Sequence, residues 1–74
     1  MYVIKHVNMN GKKAVYECRT LTEAKIYCDD FAEGRKECDD NDDQVPWCRL
    51  EVYEVLPDGN EECVHTTGCY IEEE

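Results

Sequence analysis

The chain has little that would serve export or membrane crossing. Met1 is followed at once by the strand-like Tyr2-Val3-Ile4, with no charged leader, no apolar signal core and no run of about 20 apolar residues. A cytoplasmic protein is the expectation. Bases are scarce too: eight Lys and Arg stand against eighteen Asp and Glu, for a formal charge of −10. A field of that sign repels nucleic acid and membrane surfaces and attracts basic protein surfaces, including those that hold DNA or RNA. No glycine-rich loop that would cradle phosphate is present, because Gly11, Gly34, Gly59 and Gly68 each sit in a turn or helix-end context. Seventy-four residues make one domain, 1–74, with one modest core and no room for a separate catalytic domain or a deep cofactor cleft. Neither catalysis nor a cofactor is expected; a role in binding another macromolecule is.

The charge that is present is unevenly placed. Residues 1–28 carry five bases (Lys5, Lys12, Lys13, Arg19, Lys25) against Glu17 and Glu23, whereas residues 29–74 keep only Arg35, Lys36 and Arg49 against sixteen acids. Eight of those acids fall close together: Asp29, Asp30, Glu33, Glu37, Asp39, Asp40, Asp42 and Asp43. One reading is a solvated acidic segment that keeps the protein in solution. The sharper one is a negative patch that occupies a basic groove on a partner.

Hydrophobic periodicity supplies the elements. Tyr2 to Val7 and Ala14 to Arg19 alternate as strands, and Asn8-Met9-Asn10-Gly11 between them has turn chemistry, which predicts a hairpin. Thr20-Leu21-Thr22-Glu23 opens a helix, with Thr20 and Glu23 at capping-box spacing. Leu21, Ala24, Tyr27, Cys28 and Phe31 share its apolar face, and Gly34 is placed to end it. Residues 37–45 read as an acidic loop and 72–74 as an acidic tail. Trp47 to Leu56 and Glu61 to Thr66 form a second hairpin around Pro57-Asp58-Gly59-Asn60, with Thr67-Gly68 bending the chain before Cys69-Tyr70-Ile71. The expectation is an α+β fold of order ββαββ: a four-stranded antiparallel sheet with one helix packed on one face. Tyr2, Ile4, Tyr16, Cys18, Cys48, Leu50 and Val52 alternate toward the helix. The opposite face then receives Val3, Lys5, Val7, Val15, Glu17, Trp47, Arg49, Glu51, Tyr53 and Val55, a mixture expected to meet water or a partner. Trp47 and Tyr53 are the residue types that anchor interfaces.

The remaining residues bear on three further chemistries. A calcium loop would need glycine at its sixth and glutamate at its twelfth position; counting from Asp39 gives Gln44 and Leu50, and from Asp40, Val45 and Glu51. Cys63, His65 and Cys69, with Cys48 from a neighbouring strand, could ligate zinc, although no short-spaced cysteine pair accompanies them. A thiol nucleophile served by His6 or His65 lacks any nucleophile turn. No metal is therefore assigned. The six cysteines, Cys18, Cys28, Cys38, Cys48, Cys63 and Cys69, read mainly as buried thiols, with one or two disulfides as the alternative.

Tyr2-Val3-Ile4-Lys5-His6-Val7, Thr20-Leu21-Thr22-Glu23-Ala24-Lys25 and Asp58-Gly59-Asn60 together resemble the small phage-encoded anti-CRISPR proteins of ββαββ fold that inhibit type I-F systems. The resemblance implies inhibition by occupancy of an RNA-guided effector complex, without chemistry. It also implies a basic contact on the helix. Lys25 matches, but Ile26, Tyr27, Cys28, Asp29 and Asp30 follow where further bases would stand. The charge balance points instead to an acidic mimic seated on a lysine- and arginine-lined DNA channel. On this expectation Asp29, Asp30, Glu33, Glu37, Asp39, Asp40, Asp42 and Asp43 steer the encounter, and Trp47 and Tyr53 anchor it. The alternative is a small cysteine-rich interaction domain held by zinc or disulfides.

Overall fold

Five strands and one helix follow one another as β1 (Tyr2–Asn8), β2 (Gly11–Cys18), α1 (Leu21–Ala32), β3 (Trp47–Val55), β4 (Glu61–Thr66) and β5 (Tyr70–Ile71). The computed structural model describes residues 1–38 and 46–71; Asp39, Asp40, Asp42, Asp43 and the tail 72–74 lie outside the described residues. The fold is α+β. All strand pairings are antiparallel, the order is β2-β1-β3-β4, and short β5 adds to β3 beside β4.

Local chemistry accounts for the element ends. At the first hairpin the Asn10 amide donates to Asn8 Oδ1 at 2.8 Å, and Gly11 takes a φ of 130° that a side chain would resist. Thr20 caps α1: its Oγ1 accepts from the Glu23 amide at 3.2 Å. The helix stops at Ala32, and Gly34 follows with a φ of 78°, the left-handed geometry common just past a helix end.

Ile4, Cys18, Ala24, Cys28, Leu50 and Val52 form the core between α1 and the sheet, with Tyr2, Leu21, Tyr27 and Phe31 packed around them. The helix-facing alternation thus holds along β1 and β3. Two bulges then re-aim the edge strands. In β2, Ile4 pairs with Tyr16 and Lys5 with Ala14, so Val15 is left out of register and Lys12 shares the Val7 side of the sheet. The expected place of Val15 on the outer face is corrected accordingly: it sits in the bulge, 41% exposed. In β4, Tyr53 pairs with Cys63 and Val52 with His65, so Val64 is the extra residue.

Part of the outer face, expected to meet water or a partner, is instead buried. Val3, Val7 and Glu51 are all buried there, although no helix covers them. Of the expected acidic loop, Glu37 forms a bridge to Tyr70, and residues 39–45 lie outside the described residues. No helix among the described residues is long and apolar enough to cross a membrane.

Candidate partner-binding surface

The outer face is closed by its own charges. Glu51 is 6% exposed, and its carboxylate is fully engaged. Tyr53 donates its hydroxyl to Oε1 at 2.5 Å, Lys12 Nζ lies 3.1 Å from the same oxygen, and Arg49 reaches Oε2 at 2.9 and 3.1 Å. The Tyr53 hydroxyl above all, and then Lys12 and Arg49, hold the Glu51 carboxyl at about 2, against the opposing effect of burial. The same contacts raise Lys12, through Tyr53 and then Glu51, and raise Arg49, through Glu51 first. Lys5 and Lys12 stand 4.6 and 5.5 Å from the centre of the Tyr53 ring, and Lys5 also pairs with Glu61 at 2.7 Å. Arg49 lies 5.3 Å from the Trp47 ring. Tyr53 is the cross-strand neighbour of buried Val3, and Lys12 and Arg49 are those of buried Val7, so long side chains stand where a second helix would otherwise give cover.

Trp47 and Tyr53 do share this face with Arg49 and Glu51, as strand parity requires. Both are half-buried, and each already has a cation over its ring. They belong to the seal at least as much as to any interface.

The outward face of α1 is built differently. Glu23, Asp29 and Asp30 are exposed on the helix, Glu33 caps its C-terminus and Glu37 follows. No ion pair among the described residues involves any of the five. Asp29 and Asp30 lie in the last helical turn, which holds no base. Carboxylates there face the negative end of the helix dipole, a placement that costs roughly 0.3–1 kcal/mol each. Arg35 relieves part of this by donating Nε to the Phe31 carbonyl at 2.8 Å, with its guanidinium 4.1 Å from the Phe31 ring.

Between α1 and the edge strand β2 runs an open groove of about 250 Å³, lined by Tyr16, Glu23, Ile26, Tyr27 and Asp30. Tyr16 and Tyr27 stack with ring centres 4.8 Å apart and planes inclined by 9°. Ile26 is 56% and Tyr16 47% exposed, so apolar surface meets water between two acids that have no ion pair among the described residues. The sequence pattern points Tyr16 and Tyr27 to the core, gives Glu23 a capping role and assigns Ile26 to no surface site. One signal was available: Ile26 is an apolar residue among Lys25, Asp29 and Asp30, off the buried stripe. That Tyr16 lies at the margin of helix cover required the strand order.

The zinc alternative does not fit the register. The bulge at Val64 puts Cys63 across from Tyr53 on the outer face and His65 across from Val52 on the inner one, and Cys48 lies on the inner face beside Tyr70. Among the described residues no three His, Cys, Asp or Glu side chains converge as a metal site. No family model, curated protein or solved structure matches this chain.

Proposed function

We propose that the chain is a non-catalytic binding protein whose acidic helix side docks onto a basic, nucleic-acid-handling protein surface and denies it to DNA or RNA. One observation carries this reading: exposed Ile26 and Tyr16 lie between Glu23 and Asp30, next to further acids that have no cationic partner among the described residues. A protein that needed these acids only for solubility would gain nothing from placing two of them at the wrong end of a helix dipole. Unpaired carboxylates around an apolar centre give long-range steering and a short-range anchor together, the combination a partner rich in lysine and arginine would accept.

The aspartates at 39, 40, 42 and 43 follow Glu37 in the chain and add to the same charge. Trp47 and Tyr53 are secondary contacts on this reading. The likeness to type I-F inhibitors makes a type I-F CRISPR–Cas effector the complex to test first, with the chain acting as an acidic occupant of its DNA channel. The test mixes purified protein with that effector and measures both direct binding and retention of target DNA. The expected result is a stoichiometric complex that excludes DNA and weakens as salt rises. Formation of no complex would remove CRISPR–Cas as the target. Binding to a basic DNA-handling protein that leaves its DNA in place would remove occupancy as the mechanism.

A further inference from the structure

Residues 36–38 return to the sheet alongside β5. Glu37 pairs with Tyr70; the Cys38 amide donates to the Cys69 carbonyl at 3.1 Å, and the Ile71 amide donates to the Lys36 carbonyl at 2.8 Å. In an antiparallel pair this pattern sets residue 38 directly opposite residue 69, with Cα atoms about 5.5 Å apart and side chains on one side. That separation lies within the range a disulfide spans. The side is fixed independently. Tyr70 and Phe31 meet edge to face on the helix side, so Cys69 points to the outer face, which also carries Arg49.

We propose that Cys38 and Cys69 are an intramolecular disulfide site, closed by low-molecular-weight disulfides such as oxidised glutathione. Cys69 is exposed and Cys38 half-buried, so Cys69 reacts first. Its thiolate attacks one glutathione sulfur, the glutathione S–S bond breaks, and one glutathione thiolate leaves. The deprotonated Cys38 sulfur then attacks Cys69 Sγ, the mixed disulfide breaks, and the second glutathione leaves. Two protein thiols are oxidised, one glutathione disulfide is reduced, and the two protons end on the two glutathiones.

The other cysteines are placed otherwise. Cys18 and Cys28 are buried in the core, where burial pushes both thiols up, so the reactive thiolate is suppressed. Cys48 is buried on the opposite face from Cys69, and exposed Cys63 lies across from Tyr53.

The experiment equilibrates the folded protein in a glutathione redox buffer, traps thiols by alkylation, and reads intact mass and linked peptides. The wild type is expected to lose two of its six thiols and yield a Cys38–Cys69 linked peptide without retained glutathione. Cys38→Ser should turn the product into a glutathione adduct at Cys69, and Cys63→Ser should leave bridge formation unchanged. A wild type that keeps glutathione on Cys69 while Cys38 is still alkylated would overturn the proposal. So would bridges distributed among other cysteines in the folded state.

Discussion

The outer face of the sheet and the outward face of α1 both carry charge beside aromatic rings, yet they use it in opposite ways. On the sheet, Glu51 receives Tyr53, Lys12 and Arg49, and Lys5 takes Glu61, so charge is cancelled and desolvated to close a face with no helix over it. On the helix and in the segment that follows it, Glu23, Asp29, Asp30, Glu33 and Glu37 have no paired cation among the described residues, and an apolar groove lies beside the first and third. Three of the few bases are used up inside the sheet network. Lys13, Arg19, Lys25 and Lys36 stay exposed elsewhere, so the helix-side acids are one group without ion pairs among the described residues, within a chain of net charge −10.

That contrast can be sharpened by substitutions of graded effect. Leu50→Ala, in the core between sheet and helix, should cost most, about 3 kcal/mol in denaturant unfolding, because the cavity cannot readily collapse. Glu51→Gln should follow at roughly 2–3 kcal/mol, since it leaves Lys12 and Arg49 without their carboxylate over a buried surface. A loss under about 0.5 kcal/mol, the size of an ordinary surface substitution, would mean that the network does not seal the face. Lys5→Ala should cost under about 1 kcal/mol, as its pair with Glu61 is partly exposed. Asp29→Asn with Asp30→Asn should have the opposite sign, a gain of roughly 0.3–1 kcal/mol per site at low salt as the helix dipole is relieved.

Acid separates the regions further. The folded Glu51 carboxyl lies at about 2, below its ordinary value of 4.5. Its contribution is therefore complete above pH 4.5 and is lost as pH falls toward 2, where the unfolded chain binds the extra proton. Unfolding followed across that window should show stability falling with acid in the wild type and a shallower fall in Glu51→Gln.

Much of the fold was legible because local signals agreed. Alternation in β1 and β3, the Thr20 cap, Gly34 past the helix and the Asp58-Gly59-Asn60 turn each carry their own chemistry, and the second hairpin follows them closely. The bulges at Val15 and Val64 were not legible. A bulge is set by cross-strand register, and without it strand parity puts Val15 where Ala14 sits opposite Lys5, and Lys13 where Lys12 sits opposite Val7. The same omission hid the seal over Glu51, which depends on Lys12 reaching across from the edge strand. Among the predicted site residues, Asp29, Asp30 and Glu33 follow one another along the end of α1, with Asp30 beside β2, whereas Glu37 lies at the sheet beside Tyr70. Trp47 and Tyr53 share the expected face but are held within the charge network. Asp39, Asp40, Asp42 and Asp43 lie outside the described residues, and their part is tested only through binding.

The most direct measurement compares affinities for a type I-F effector complex of two charge-altered proteins that both remain folded. Asp29→Asn with Asp30→Asn should weaken binding about tenfold or more, in keeping with about 1.4 kcal/mol for each factor of ten, while raising stability. Lys5→Gln with Glu61→Gln, which neutralises a pair already satisfied on the sheet, should leave affinity unchanged. Equal weakening by both, or unchanged binding by the aspartate variant, would contradict the assignment of the helix acids to a basic partner.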